Sequence, residues 1–158
     1  CGHLGLSTRQ MREALRGYHA PRHRCELVRE LDQVEYLNDS KATNLHALVS
    51  ALRSQTRPVV LLAGGKDKGL DYSEVLPLLR EKVLAAVTYG QIAAPLAQLF
   101  SQAVPCEQVT TLAQAVHSAR RRAPRGSVVL LSPGTSSFDQ FSGYEQRGDQ
   151  FRDLVNLL

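Results

Sequence analysis

Three short polar stretches hold most of the residues that could bind a ligand or take part in its chemistry. They are NDSKATN at 38–44, GGKDKGLDY at 64–72 and SPGTSSFDQFSGYEQRG at 132–148. Lysine, arginine and hydroxyl side chains donate hydrogen bonds that suit carboxylates and phosphates. The three stretches together therefore predict a site for a ligand that carries such groups. Its candidate donors are Lys41, Lys66, Lys68 and Arg147, with Ser40, Thr43, Thr135, Ser136 and Ser137.

The elements around these stretches predict an α/β fold. The runs PVVLLAGG and SVVLLSPG are apolar throughout, which is typical of strands that are buried on both faces of a parallel sheet. Strands alternating with helices indicate a Rossmann-like, mostly parallel sheet with helices on both faces, preceded by a β-hairpin. We predict helices over 8–16, 43–55, 72–83, 94–103, 112–123 and 148–158, and strands over 24–31, 34–38, 58–65, 84–90, 106–110 and 127–134.

The predicted strands place the three polar stretches at one edge of the sheet. Each stretch begins where a strand ends, and ligands of such sheets bind beyond the carboxyl ends of the strands. We therefore expect the three stretches to converge.

Composition excludes several classes of protein. The chain has 158 residues, is 43% hydrophobic and carries a net charge of +4. Its apolar runs are far shorter than the roughly 20 residues that a membrane helix needs. Three scattered cysteines without a CxxC pair predict reduced thiols, and no histidine spacing suggests a metal site. The densest basic cluster, at 119–125, falls at a predicted helix end, where cations complement the helix dipole, so nucleic-acid binding is disfavoured.

Familiar catalytic motifs are also missing. GGKDKG lacks the spacing of a Walker A phosphate loop, and no G-x-G-x-x-G follows the first strand. SPGTSSFDQ does not match the G-x-S-x-G turn of serine hydrolases. A hydrolase, or a domain that holds a nucleotide by its own phosphate loop, is therefore disfavoured.

Several polar residues also have a purely structural interpretation. Asp39 or Thr43 could cap the helix that follows them. Lys66 is expected to be solvated. We expect Phe138, Phe141 and Phe151 to pack in the core, Asp71 and Asp139 to orient their loops, and Arg147 to pair with Glu145 or Asp149.

The three stretches, in this order, resemble the C-terminal domain of the Mur ligase family. The resemblance runs from the first helix to the end of the chain, and NDSKATN is similar to the members that add D-glutamate. It implies an ATP- and Mg²⁺-dependent cytoplasmic ligase of peptidoglycan precursor synthesis. Such a ligase phosphorylates the carboxylate of UDP-MurNAc-L-alanine, and the amine of D-glutamate then attacks the acyl phosphate. Residues 1–18 would close a central ATP-binding domain, and residues 19–158 would form the C-terminal domain.

The resemblance also implies roles for individual residues. By position, the contacts to D-glutamate would come from Lys41, Thr43, Lys68, Ser137, Phe138 and Tyr144. Arg24 and Asp39 would contact ATP, and Lys41 and Arg24 would be the catalytic residues. No metal ligand is expected here, and this part of the chain alone should hold neither ATP nor Mg²⁺ and should not ligate, because positioning both reactants is most of the catalysis.

Two features depart from a complete and typical family member. The chain begins with Cys1 and its only methionine is Met11, so we expect a piece of a longer protein with N-terminal and central domains upstream. The family usually shows Pro-His-Arg, whereas this chain reads Pro-Arg-His-Arg at 21–24, and Tyr144 stands where phenylalanine is frequent. Two alternatives remain open: a stand-alone anion-binding or interaction module on the same fold, and a domain of a folylpolyglutamate-synthase-like ligase.

Overall fold

A six-stranded sheet with helices around it organises the chain. The computed structural model describes residues 7–16 and 21–158. The strands are β1 (Glu26–Leu31), β2 (Val34–Asn38), β3 (Val59–Gly64), β4 (Val83–Tyr89), β5 (Cys106–Gln108) and β6 (Val128–Leu131). The helices are α1 (Thr8–Arg16), α2 (Leu45–Ser54), α3 (Leu76–Lys82), α4 (Ala93–Phe100), α5 (Leu112–Arg122) and α6 (Tyr144–Asn156).

The sheet order places the three strands that precede the polar stretches side by side. The order is β1-β2-β6-β3-β4-β5, and every neighbouring pair is parallel except β1 and β2. The predicted fold class is therefore confirmed, including the hairpin at the start. Because β2, β6 and β3 are adjacent and parallel, the loops that follow them emerge from the same edge.

A two-residue turn closes the β1–β2 hairpin. Asp32 and Gln33 both have positive φ, at 53° and 65°, and Leu31 pairs with Val34 across them. Positive φ at both central residues matches the right-handed twist of the flanking strands, which is why such turns close hairpins. The hairpin forms although neither residue is glycine.

Alternate residues of the central strands pack into two separate hydrophobic cores, one on each face of the sheet. Val59 and Leu61 of β3 pack with α2, α3 and α4, while Val60 and Leu62 pack with α5 and α6. This alternation follows from the two-residue repeat of a strand. Helices therefore cover both faces, as predicted.

The structure corrects three element boundaries. The last helix begins at Tyr144, four residues before the predicted start at Gly148. The helix predicted over 72–83 is a 3₁₀ turn, Ser73–Val75, followed by α3, whose first turn accommodates Pro77. Strand β6 ends at Leu131, because Pro133 has no N–H to continue a ladder.

The cap of α2 differs from both alternatives offered for it. Asn44, in an extended conformation, accepts a hydrogen bond from the N–H of Ala47 at 2.9 Å. Asp39 and Thr43 are therefore not its N-cap, which leaves their side chains available for other contacts.

Helix α1 begins with a cap at Ser7, a residue type that favours this position. The Ser7 hydroxyl accepts from the N–H of Gln10 at 3.2 Å, and the Gln10 side chain accepts from the N–H of Ser7 at 2.9 Å. This reciprocal pair is a capping box. Gly17, which directly follows the predicted helix and is a residue type that predicts a helix end, lies outside the described residues. No helix among those described is long and apolar enough to cross a membrane.

Candidate functional site

Backbone hydrogen bonds join the loops after β2, β6 and β3. The N–H of Asp39 donates to Leu131 at 2.8 Å, and the N–H of Gly64 donates to Pro133 at 3.1 Å. The N–H of Lys66 donates to the carbonyl of Ser136 at 2.9 Å. The predicted convergence of the three polar stretches at one edge is therefore confirmed.

A cavity of about 370 Å³ opens beside the loop after β2. It brings together Arg24, Asp39 and Lys41, which the sequence predicted as contacts to ATP and as catalytic residues. The start of the hairpin and helix α2 supply the other walls. The full lining is Arg24, Cys25, Asp39, Lys41, Ala42, His46, Ala47, Ser50, Ala51 and Ser54.

Asp39 is a buried carboxylate at the wall of this cavity. One carboxylate oxygen accepts from the N–H of Cys25 at 3.2 Å and the other from the hydroxyl of Ser132 at 2.8 Å. Burial raises the pKa of Asp39, while these two hydrogen bonds and the charge of Arg24 oppose the rise. Each carboxylate oxygen can accept a further hydrogen bond. Asp39 is therefore a fixed acceptor that retains capacity for a ligand hydroxyl.

Lys41 links this cavity to the start of α6. Its Nζ lies 5.2 Å from the centre of the Tyr144 ring, within the range of a cation–π contact. Its backbone N–H donates to the carbonyl of His23 at 3.1 Å. Lys41 is partly buried and lines the cavity.

Lys68 and Thr43 are also brought together. The Nζ of Lys68 donates to the Thr43 carbonyl at 3.1 Å, which ties the loop after β3 to the loop after β2. Both residues were predicted as contacts to D-glutamate. Lys66 is exposed, as expected.

The structure separates Phe138 from the other candidates. Its side chain is 65% exposed and lines a second cavity with Lys66, so the prediction that it packs in the core is wrong. Ser137 beside it is buried, and its carbonyl accepts from the N–H groups of Gln140 and Phe141. This tight turn projects Phe138 outwards. Core packing is confirmed for Phe151, which is fully buried, and for Phe141, which packs at the edge of the α5–α6 core.

Two acidic residues orient their loops, as predicted. A carboxylate oxygen of Asp71 accepts from the N–H of Ser73 at 2.9 Å, and this hydrogen bond lowers the pKa of Asp71. Asp139 accepts from the N–H of Gln91 at 3.0 Å. Neither residue lines the cavity of Asp39 and Lys41.

Arg147 differs most from its prediction. It is fully buried and, within the described residues, forms no ion pair, so the expected pairing with a neighbouring carboxylate is wrong. Its guanidinium donates instead to Ser40 and Thr135. Burial lowers the pKa of Arg147, but a guanidinium keeps its proton in proteins.

His23 is a second residue whose part the sequence did not predict. Its ring is buried, and its Nδ1 lies 3.2 Å from the side-chain nitrogen of Asn38, which also donates to the carbonyl of Gly148 at 3.0 Å. Because an amide nitrogen only donates, Nδ1 accepts and the ring proton is assigned to Nε2. The ring also meets the edge of Tyr144, with centroids 6.0 Å apart. These contacts hold His23 in place, and with it the His23 backbone carbonyl that accepts the hydrogen bond from the N–H of Lys41.

The cavity chemistry fits part of a nucleotide. Arg24 and Lys41 are cations that suit phosphate oxygens, and Asp39 is an acceptor that suits a ribose hydroxyl. The described residues do not offer a comparable set of ligands for magnesium. Over residues 7–16 and 21–158, no three His, Cys, Asp or Glu side chains are grouped so that they could hold a metal ion.

Solved structures first define the class of fold. The MurF ligase of Thermotoga maritima in complex with ADP superposes with a TM-score of 0.59 at 16% identity, covering 99% of this chain and 36% of that one. The bifunctional folylpolyglutamate synthase/dihydrofolate synthase of Yersinia pestis, complexed with AMPPNP and a Mn ion, gives 0.60 at 22% identity, covering 95% and 35%. At these identities the likeness shows the fold alone.

Sequence comparison then gives the family. The family model described as "Mur ligase, glutamate ligase domain" matches residues 23–135. The UDP-N-acetylmuramoylalanine--D-glutamate ligase of Salinibacter ruber is 47% identical over 149 residues, covering 94% of this chain and 32% of the relative. That of Chlorobium phaeobacteroides is 43% identical over 155 residues, covering 98% and 33%. The chain belongs to the Mur ligase family through its glutamate ligase domain, and it spans about a third of the length of these relatives.

Proposed function

We propose that the chain is the C-terminal, amino-acid-binding domain of an ATP-dependent ligase that adds D-glutamate to UDP-MurNAc-L-alanine. The observation that carries the proposal is the position of Lys41. This residue lines the cavity with Arg24 and Asp39, and its Nζ also lies over the ring of Tyr144. One cation thus stands between the side proposed for the nucleotide and the side proposed for the amino acid. The names of the relatives support the same substrates.

On the nucleotide side, three residues would act together. ATP, when bound, supplies the phosphoryl group that activates the carboxylate of the acceptor. Arg24 and Lys41 would contact its phosphate oxygens and stabilise the charge that develops during transfer. Asp39, held by Ser132 and the backbone of Cys25, would accept from a ribose hydroxyl.

On the amino-acid side, a dicarboxylate needs two groups of donors. Lys68, held at the carbonyl of Thr43, is proposed for one carboxylate, and Lys41 with Tyr144 for the other end of the ligand. The Thr43 and Ser137 hydroxyls complete the proposed contacts. Phe138 has the least support among the proposed residues, because it lines the separate cavity beside Lys66.

The remaining parts of the site belong to the rest of the proposed parent protein. Residues 1–18 would close its central ATP-binding domain, and residues 19–158 would close over the nucleotide from the other side. Mg²⁺ would be held by the upstream domains. The substrates, a UDP-linked sugar and ATP, are cytoplasmic metabolites, so we propose a cytoplasmic enzyme.

The test measures ADP release by the parent protein with its upstream region present. The assay contains UDP-MurNAc-L-alanine and Mg²⁺ with either D-glutamate or L-glutamate. Wild type is compared with Lys68→Ala and with the matched control Lys66→Ala, because Lys66 is an exposed lysine of the same loop. We expect release that depends on D-glutamate. Loss of a charge-assisted contact in Lys68→Ala should raise the KM for D-glutamate by about 10- to 100-fold.

The possible outcomes test the ligase function and the role of Lys68 separately. Release that survives in Lys68→Ala with an unchanged KM keeps the ligase and rejects Lys68 as a contact. Folded protein that releases no ADP with D-glutamate rejects the proposed function. Release with L-glutamate and a folate substrate would instead indicate a folylpolyglutamate-synthase-like ligase.

A further inference from the structure

The donor groups of Arg147 end on the loops after β2 and β6. Its Nε donates to the hydroxyl of Ser40 at 3.0 Å, and its Nη2 donates to the carbonyl of Ser40 at 2.8 Å. Nη1 and Nη2 both donate to the carbonyl of Thr135 at 3.2 Å. Three of these four bonds reach backbone carbonyls, so they constrain the path of the chain and not only side-chain rotamers.

The same network reaches the third loop and the start of α6. The hydroxyl of Thr135 donates to the carbonyl of Lys66, and the carbonyl of Ser136 accepts from the N–H of Lys66 at 2.9 Å. The hydroxyl of Ser40 donates to the carbonyl of Tyr144 at 2.8 Å. A single guanidinium, with its partners, therefore joins the loops that carry the proposed contacts to D-glutamate.

The loops after β3 and β6 approach each other closely at Gly65. A Cβ at Gly65 would lie 2.3 Å from the carbonyl oxygen of Ser136 and 3.2 Å from Nη1 of Arg147. Gly65 also has a φ of 134°, which favours glycine. The loops after β3 and β6 are thus pressed together around the guanidinium.

Stability alone does not account for a buried cation here. Moving an ion out of water costs several kcal/mol, and apolar replacements of buried ion pairs are often neutral or stabilising. Arg147 forms no salt bridge among the described residues. The charge of Asp139 and the nearby Tyr89 offset the cost of burial only in part, because the pKa of Arg147 is still lowered. Its geometry, which bridges two loops at once, is what a lysine or an apolar side chain cannot reproduce.

We propose that Arg147 is a positioning residue that sets the spacing between the two groups of amino-acid contacts. Ser40 immediately precedes Lys41, and Thr135 lies two residues before Ser137, so the clamp fixes Lys41 and Ser137 relative to each other. Arg147 thereby sets the affinity for D-glutamate and the selectivity for its chain length over that of D-aspartate. The inference rests on the proposed function.

Kinetics of the parent enzyme test this role. Arg147→Lys keeps the charge but not the planar fork, and Arg152→Lys is the matched control on the same helix, where Arg152 pairs with Glu26 at 2.7 Å. A misplacement of about 1 Å can cost about 100-fold, so we expect the KM for D-glutamate to rise at least about tenfold in Arg147→Lys. The KM for ATP should rise less than the KM for D-glutamate, because Asp39 is held by Cys25 and Ser132 and not by Arg147. The preference for D-glutamate over D-aspartate should shrink. Arg152→Lys should change none of these.

Ser40→Ala provides a milder variant in case Arg147→Lys folds poorly. It removes the hydroxyl that accepts from Nε but leaves the three bonds to backbone carbonyls. We expect a smaller rise in the same KM. If both variants are folded and keep the wild-type KM for D-glutamate, or if they lose activity only through fewer folded molecules, the proposal is wrong.

Hydrogen exchange distinguishes failure of this inference from failure of the proposed function. The amides of Lys41 and Lys66 should exchange faster in Arg147→Lys, while the amide of Ala86, which donates to Pro105, should not change. Unchanged protection at Lys41 and Lys66 overturns the clamp whatever the activity. Faster exchange in an enzyme that does not use D-glutamate would keep the clamp and reject the substrate.

Discussion

Two basic regions of the molecule differ in the burial and in the hydrogen-bond partners of their arginine side chains. In the last turn of α5, Arg121 and Arg122 are exposed and reach the carboxylate of Glu107 at 3.9 and 2.7 Å. At the carboxyl edge of the sheet, Arg147 is fully buried and donates to backbone carbonyls. The first region is the denser basic cluster in the sequence, but the second contains the polar groups that are expensive to bury. Buried polar groups therefore mark the site better than the density of charge does.

The difference extends to the neighbours of each cation. Arg121 and Arg122 lie on the exposed surface of α5, where water can replace their contacts to Glu107. The buried polar residues at the edge of Arg147 come from the end of β2 and from the loops after β2 and β6: Asn38, Asp39, Ser40, Ser132, Thr135, Ser136 and Ser137. Hydrogen bonds join Asn38 to Ser40 and Asp39 to Ser132. A change at the carboxyl edge should therefore alter function, and a change on α5 should alter little beyond local stability.

Lys41→Ala should give the largest effect on activity. Removing the cation from between Arg24, Asp39 and the ring of Tyr144 should lower kcat/KM of the parent enzyme by about 100- to 1,000-fold, as for loss of one preorganised electrostatic contact. The cation–π contact is worth only about 0.5–1 kcal/mol at an accessible site, so the free energy of unfolding should fall by no more. ADP release and urea unfolding measure the two quantities. A folded variant with activity within threefold of wild type would contradict the proposed role.

Asp39→Asn should separate function from stability at the same edge. The amide can still accept from the N–H of Cys25 and donate to the hydroxyl of Ser132, so the wall of the cavity should survive. Loss of the charged acceptor for a ribose hydroxyl should lower kcat/KM for ATP by about tenfold. Steady-state kinetics with varied ATP measures this loss, and an unchanged kcat/KM would remove Asp39 from the proposed nucleotide contacts.

The pH dependence of stability gives the same variant a second readout. Burial raises the pKa of Asp39 in the folded state above its ordinary value of 3.8. The folded state therefore holds the proton more tightly, and the stability that this contributes is present below pH 3.8 and is lost as the pH rises through the folded pKa. Asp39→Asn should lack this contribution and be at least as stable as wild type at pH 7. A less stable variant at that pH would show that the carboxylate itself braces the loop.

Two half-buried cysteines allow the cavity to be compared with a surface away from it. Burial raises the pKa of both Cys25 and Cys106 to about 11, so both should react slowly at neutral pH. Only Cys25 lines the cavity with Asp39. In the parent enzyme, ATP at about ten times its Kd should slow alkylation of Cys25 by roughly tenfold and leave Cys106 unchanged, since an occupied site is shielded. Mass spectrometry of the separate peptides measures both rates, and equal rates with and without ATP would place the nucleotide elsewhere.

The fold could be predicted because its signals are local. Apolar runs such as 58–65 and helix spacing in the intervening segments gave the order of elements, and that order implies a parallel sheet. The convergence of the polar stretches followed from the sheet. Lys41, Thr43 and Lys68 could be singled out because the polar stretches that contain them follow strands and resemble the corresponding stretches of the Mur ligase family.

Arg147 and His23 could not be placed because their environments depend on distant parts of the chain. With the last helix taken to begin at Gly148, Arg147 remained in a loop; a start at Tyr144 puts it on the helix face of Phe151 and Val155, which packs inwards. His23 is buried against Asn38 and Gly148. Both residues are far from His23 along the chain, so no local sequence pattern predicts that they pack together. The prediction for Phe138 was wrong for another reason. An aromatic residue was expected to pack in the core, but a tight turn projects this side chain into solvent.

Arg122→Ala should give the smallest effect and completes the comparison of the two basic regions. Its Nη2 lies 2.7 Å from Glu107, but the pair is exposed to solvent. Such surface pairs contribute about 0.2–1 kcal/mol, so the free energy of unfolding should fall by no more than about 1 kcal/mol and less at high salt. The KM values for D-glutamate and ATP should not change, because α5 contributes no residue to the cavity of Arg24, Asp39 and Lys41. Urea unfolding at low and high salt, with kinetics of the same variant, measures both. A changed KM for either substrate would mean that the exposed arginines also belong to the site, and the contrast with Arg147 would then be lost.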